Sequence, residues 1–173
     1  MPNLRFTPPD TSEPGTIASV LRRVYAPLVE RCPATWNAEE AGWDAFDAEV
    51  FRHPDTVGAC TFFTWWGDLL VGFGSYDPRG APDLGILGHS GVLPEFQGRG
   101  LGKAQVEEIL RRMRCLGIRR ARVSTGGHPF FAPARRMYLA CGFREARRVP
   151  WERDPQETII EYEKAIGEPE AME

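Results

Sequence analysis

One stretch of this chain limits its folding choices more than any other, and it runs from Leu84 to Gly117. Leu84 to Val92 is rich in apolar residues punctuated by glycine and reads as a strand. Val106, Ile109, Leu110 and Met113 then fall on one face of a helix that closes at Gly117. Between them lies the turn Gln97-Gly98-Arg99-Gly100-Leu101-Gly102. Glycines at alternate positions remove side chains where a ligand's own backbone must come close. The first helical turn also leaves N–H groups without intrahelical partners, at the positive end of the helix dipole, and such a site suits a pyrophosphate. Arg99 and Lys103 add positive charge at its rim.

The remaining segments alternate in period. Leu4 to Thr7 reads as a first strand and Thr7 to Gly15 as a loop. Ile17 to Arg31 carries apolar residues at helix spacing, with Pro33 as its stop. A second helix is expected from Asn37, where Asn37 and Glu40 resemble a capping box, to just before Pro54, with His53 as its end. Val57 to Trp66 and Leu69 to Tyr76 read as strands joined by a two-residue turn at Gly67-Asp68. After the long helix come a strand at Ile118 to Ser124 and a short helix at Pro133 to Ala140 capped by Gly142. Strands at Phe143 to Val149 and Thr158 to Ala165 follow. The order β-α-α-β-β-β-α-β-α-β-β predicts an α/β fold, a mixed sheet with helices on its faces. One domain is expected over 1–166, with an acidic tail at 167–173.

Composition narrows the partners. The 173 residues are 42% hydrophobic and 26% charged, the proportions of a globular protein with a real core. A net charge of −3 argues against a dedicated nucleic-acid binder, and the clusters Arg111, Arg112, Arg114 and Arg119, Arg120, Arg122 read first as solvated surface. No apolar run reaches the roughly eighteen residues of a membrane span, and the first ten residues lack the pattern of a secretory signal. The cysteines Cys32, Cys60, Cys115 and Cys141 have no metal-ligand spacing. A cytoplasmic protein without a metal, monomeric or homodimeric, is the expectation.

Three readings compete for the glycine-rich turn. A P-loop needs Ser or Thr after Gly-Lys, but Ala104 follows Lys103, and its first glycine would fall on Gln97. A dinucleotide fingerprint needs a third glycine where Lys103 stands. A simple connector fits the glycines alone. The surrounding string Val92-Leu93-Pro94-Glu95-Phe96-Gln97-Gly98-Arg99-Gly100-Leu101-Gly102 resembles the acetyl-CoA-binding motif of the GNAT family of N-acetyltransferases, matching at Gln97, Gly100 and Gly102. About thirty residues later, Ala134-Arg135-Arg136-Met137-Tyr138-Leu139-Ala140-Cys141-Gly142-Phe143 resembles that family's second signature. The resemblance covers roughly Val57 to Ala165. One departure stands out: the family often has Asn where this chain has Phe131.

The resemblance implies a GNAT-like acyl-CoA N-acyltransferase fold that takes acetyl-CoA as co-substrate. It also implies an amine that attacks the thioester carbonyl directly. Tyr138 would be the general acid for the leaving sulfur, since a phenol near pKa 10 is protonated at neutral pH. Backbone N–H groups of Val92 and Leu93, at the end of a strand that Gly88 and Gly91 allow to bulge, would stabilise the oxyanion. Cofactor contacts would come from Gln97, Gly98, Arg99, Gly100, Leu101, Gly102 and Lys103, with Arg135 and Arg136 available for phosphates. For the base, His89 has a suitable ordinary pKa near 6.5, with Glu95, His128 and a water chain as rivals. The acceptor amine is not identified. Trp36, Trp43, Trp65, Trp66, Phe130 and Phe131 could wall its pocket, and Glu39, Glu40, Asp44 and Asp47 could attract a cation. A non-catalytic acyl-CoA-binding module of the same fold is the alternative.

Overall fold

A computed structural model of the chain describes residues 3–167. The acidic tail expected at 167–173 therefore lies, Gly167 apart, outside the described residues. The chain forms two compact units. One holds the residues up to Ser75 together with His89–Gln105, and the other holds Tyr76–Gly88 and the residues from Val106 onward.

In the first unit, strands β1 (Leu4–Thr7), β2 (Thr61–Trp66) and β3 (Leu69–Asp77) run antiparallel, and β2 turns into β3 through Gly67-Asp68. Gly67 has φ 63°, a conformation that side chains disfavour, so the expected hairpin forms where glycine permits it. Helices α1 (Thr16–Arg31) and α2 (Pro33–Arg52) cover this sheet. Ile17, Val20 and Leu21 of α1, Trp43 and Val50 of α2, and Phe63, Phe73 and Leu93 make its core. The expected start of α2 at Asn37 is corrected to Pro33, and the Asn37–Glu40 pair lies inside the helix. Proline suits a first helical position because its missing N–H would have no partner there. The earlier turn also lets Trp36 stack on Tyr25, at 5.5 Å and 17°. The next strand likewise begins at Thr61 rather than Val57.

The strand expected from Leu84 to Val92 is two pieces, β4 (Leu84–Leu87) and β5 (Gly91–Val92), with Gly88, His89 and Ser90 out of the ladder. In the first unit β5 pairs antiparallel with β3.

In the second unit the last residues of β3 pair antiparallel with β4, and β4 pairs in parallel with β6 (Arg120–Gly126). Strand β8 (Asp154–Ala165) joins β6 to β7 (Arg144–Trp151) in an antiparallel arrangement. Both β7 and β8 run longer than expected and meet in a tight hairpin, where Trp151 faces Asp154. Pro150 is tolerated because β7 is an end strand with a register shift beside it. Helix α3 (Leu101–Cys115) buries Val106, Ile109, Leu110 and Met113, and Met113 fills the space that a side chain at Gly85 would need. Helix α4 (Ala132–Ala140) buries Tyr138.

Helices α3 and α4 close the same way. Gly117 (φ 73°) and Gly142 (φ 84°) sit just past them in the left-handed conformation. Paired bonds recapture the last carbonyls: Ile118 N–H to Met113 O and Gly117 N–H to Arg114 O, then Phe143 N–H to Tyr138 O and Gly142 N–H to Leu139 O. Such a motif favours an apolar contact between its first and last residues, and the Tyr138 and Phe143 rings meet edge to face at 5.9 Å. The spacing of Tyr138, Gly142 and Phe143 is thus accounted for locally before any chemistry is invoked.

Candidate active site

The glycine-rich turn lies in the first unit. Strand β5 gives way to a 3-10 turn at Pro94–Phe96, after which Gly98 and Gly100 adopt φ 75° and 80°. A Cβ added at either would meet nothing within 4 Å, so the backbone conformation, not crowding, calls for glycine. Gly100 O accepts the first ladder bond of α3, from Ala104 N–H at 3.0 Å. The N–H groups of Leu101 and Gly102 therefore precede the helical ladder, at the positive end of the helix dipole. The Leu101 side chain is buried and anchors this turn. Arg99 is placed at the turn's edge with its guanidinium 5.1 Å from the centre of the Trp66 ring, a cation–π contact, and Phe96 meets the same ring edge-on.

The two backbone donors expected before the turn differ. Leu93 N–H donates to Val71 O at 2.8 Å and is committed to the sheet. Val92 faces Gly72 in the antiparallel register, so strand alternation makes it the non-hydrogen-bonded pair, with its N–H pointing away from β3. Val92 O, on that same side, accepts from Gln97 Nε2 at 2.9 Å. The signature glutamine thus braces β5 from the turn.

His89 sits in the break between β4 and β5. Ser75 Oγ donates to its carbonyl at 2.6 Å, and its ring packs 4.9 Å from that of Phe46. The residue as a whole is exposed, yet partial desolvation of its ring lowers its pKa from the ordinary 6.5. Glu95 is tied to Arg23, whose Nη2 lies 2.6 and 2.7 Å from its two oxygens; this bond is the main reason its pKa is lowered from 4.5. A carboxylate so held is a poor proton acceptor. His128 Nδ1 accepts from Phe130 N–H at 3.1 Å, capping the 3-10 turn Pro129–Phe131.

Tyr138 lies in the second unit, buried between Phe143 and Tyr162. Arg135, considered for phosphates, donates Nη1 to the carbonyls of Gly126 and His128 at 2.7 and 3.0 Å and so holds the corner after β6. Phe131 packs against Gly126, where a Cβ would come 2.5 Å from its ring. The aromatic and acidic residues considered for an acceptor pocket have structural partners. Trp43 is buried and stacked on Tyr25 at 5.3 Å, and Trp65 Nε1 donates to Thr7 Oγ1. Asp47 is buried and accepts from Gly15 and Ala18 N–H at the start of α1, and Asp44 pairs with Arg22. Sequence reading missed Gln105, Thr64 and Gly72. Gln105 is 3% exposed, and its amide reaches Thr64 Oγ1 at 3.0 Å and Gly91 O at 3.2 Å. A glutamine on an α3 face otherwise lined by Val106, Ile109 and Leu110 was the available hint.

A mixed, mostly antiparallel sheet with four α-helices among the described residues, broken between β4 and β5 and followed by a glycine-rich helix start, defines the N-acyltransferase architecture. The family model described as acetyltransferase (GNAT) family matches residues 25–143, and the chain belongs to that family. A mycothiol acetyltransferase of Streptomyces scabiei is 29% identical in an alignment 127 residues long that covers 63% of this chain and 38% of that protein. The chain thus spans well under half of that relative's length. Among solved structures, a GNAT-family acetyltransferase of Desulfovibrio desulfuricans is similar over 95% of this chain and 100% of its own, with TM-score 0.73 and 24% identity. An acetyltransferase of Salmonella typhimurium, solved with its cofactor acetyl-CoA, is similar over 98% and 99%, with TM-score 0.68 and 15% identity. Among the described residues no group of His, Cys, Asp or Glu is arranged to hold a metal ion, and no helix is long and apolar enough to cross a membrane.

Proposed function

We propose that this chain is an acetyl-CoA-dependent N-acetyltransferase that moves an acetyl group to a primary amine by direct attack. The observation that carries this reading is the start of α3, where Gly98 and Gly100 turn the backbone so that the Leu101 and Gly102 N–H groups precede the first ladder bond of the helix. These residues fit a pyrophosphate, since such N–H groups and the helix dipole favour an anion together. Gly98, Arg99, Gly100, Leu101, Gly102 and Lys103 would hold it, while Gln97 braces the strand beside it. Acetyl-CoA, when bound, supplies an activated acyl carbonyl.

The chain's own residues do the rest. His89, whose pKa is lowered by desolvation where it packs, takes the proton of the acceptor ammonium. Val92 N–H, directed away from β3, stabilises negative charge on the carbonyl oxygen. Tyr138 gives its proton to the departing sulfur, a role that rests on the motif it occupies. The free cysteines Cys32, Cys60, Cys115 and Cys141 suit a reducing cytoplasm, and a monomer or homodimer would suffice.

The test is calorimetry with acetyl-CoA, followed by thiol release across a panel of amines. Tyr138→Phe should bind acetyl-CoA as the parent does and lower kcat by about 10²–10⁴. A folded Tyr138→Phe variant with unchanged kcat refutes the acid assignment. Phe131, in place of the family's frequent Asn, favours a second reading, a module that binds acyl-CoA without turnover. Binding with no thiol release for any amine would select it. No binding at millimolar concentration would remove both.

A further inference from the structure

Gln105 has no place in the motifs of the sequence, yet it is buried in the first unit and its side-chain amide makes two bonds. Nε2 carries two hydrogens and faces two acceptors, Thr64 Oγ1 at 3.0 Å and Gly91 O at 3.2 Å. The second acceptor matters most. Gly91 C=O and Val92 N–H belong to one planar trans peptide, so they point to opposite edges of β5. A donor on the carbonyl at the β3 edge, added to the ladder partner Phe73 that the same alternation brings opposite Gly91, therefore helps to hold the plane that aims Val92 N–H the other way. It also polarises that peptide, which strengthens the N–H as a donor. Gly72 completes the arrangement, because a Cβ there would lie 2.1 Å from Gly91 O and 2.8 Å from Gln105 Nε2. Gln105 stands on α3 just after the turn whose Leu101 and Gly102 N–H groups lead the helix, so one side chain links both sets of backbone donors.

We infer that Gln105 is a positioning residue: through the Gly91–Val92 peptide it aims and strengthens Val92 N–H, and it fixes this donor's distance from the start of α3. This rests on the acyl-CoA reading above for the ligand, but not for the coupling. Gln105→Met keeps length and volume and removes both donors, while Thr64→Val removes only the other acceptor and leaves the bond to Gly91.

The measurement is the Val92 amide resonance and its hydrogen exchange in the ¹⁵N-labelled full chain, first without ligand and then with acetyl-CoA. Gln105→Met should move the Val92 amide upfield and speed its exchange, with Thr64→Val changing it little. In turnover it should lower kcat about tenfold, less than the 10²–10³ that follows loss of a whole donor, with KM changed less than kcat. Gly72→Ala, which crowds Gly91 O from the other strand, should perturb the same amide and serves if Gln105→Met does not fold. A Val92 amide unmoved by Gln105→Met, or moved equally by Thr64→Val, overturns the inference. A coupled amide that does not respond to acetyl-CoA upholds the positioning and defeats the ligand reading instead.

Discussion

At the scale of single residues, environment divides the ionisable groups into structural and chemical ones. Asp47 looks from the sequence like one of several acids on a helix face, but its carboxylate is buried and accepts from Gly15 N–H at 2.7 Å and Ala18 N–H at 3.1 Å. It caps α1 from α2. Asp47→Ala leaves two backbone donors unanswered and should destabilise the chain by about 2–3 kcal/mol. Denaturant midpoints at constant slope measure this, and a shift within error would mean water replaces the carboxylate. His89, proposed above as the base, is the contrasting case. Its folded pKa lies below 6.5 because of desolvation, so below about pH 6.5 the unfolded chain binds the proton more readily than the folded one. Stability from this group therefore falls as the pH drops below that value, and above it His89 contributes nothing. In turnover, the acidic limb of kcat/KM should lie below 6.5 and vanish in His89→Gln. A limb above 6.5, or one that persists in the variant, removes His89 as the base.

At the scale of elements, periodicity located nearly every helix and strand, and the departures share a cause. Pro33, expected as the stop of the first helix, also opens the second, and Pro150 and Pro155 lie within the β7–β8 hairpin, one past the expected end of its strand and the other before the expected start. A proline's effect depends on whether its missing N–H had a partner, and a linear pattern does not contain that information. The break at Gly88 to Ser90 was legible only as permission, from flanking glycines. Its position depends on β5 pairing with β3 and β4 with β6, which are contacts distant in sequence. The place of Gln105 was hidden for the same reason, since one of its acceptors is Gly91 O, and the two carbonyls that take Arg135 are likewise marked by no side-chain pattern. The helix ends, by contrast, are local and were read correctly at Gly117 and Gly142. Gly142→Ala should cost about 1–2 kcal/mol for forcing a side chain into the left-handed region. The new Cβ would also lie 3.0 Å from Lys164 Nζ, which donates to Cys141 O at 2.5 Å. Thermal unfolding should fall by about 2–4 °C per kcal/mol lost. An unchanged midpoint would show that the cap relaxes without glycine.

For the whole molecule, the balance of charge decides how an anionic ligand can be held. The chain carries −3 overall, so no general field draws a phosphate toward it. Many of its arginines are already paired: Arg111 and Arg112 with Glu108, Arg120 and Arg122 with Glu163, and Arg147 with Glu161. Attraction must come from close range, from the α3 start with Arg99 and Lys103 nearby. Such contacts act within a few ångströms and survive when salt shortens the screening length from about 10 Å at 0.1 M to about 3 Å at 1 M. A ligand at a hundred times its Kd stabilises the folded state by about 2.7 kcal/mol. For a chain of this size that raises the unfolding temperature by about 5–10 °C. Acetyl-CoA should give a rise of this size and keep most of it at 0.5 M salt. An acetyl-pantetheine fragment at equal concentration, lacking the pyrophosphate, should give little. If the rise collapses with salt, binding is a diffuse effect of surface arginines; if the fragment matches the whole cofactor, the turn from Gln97 to Gly102 is not where the ligand is held.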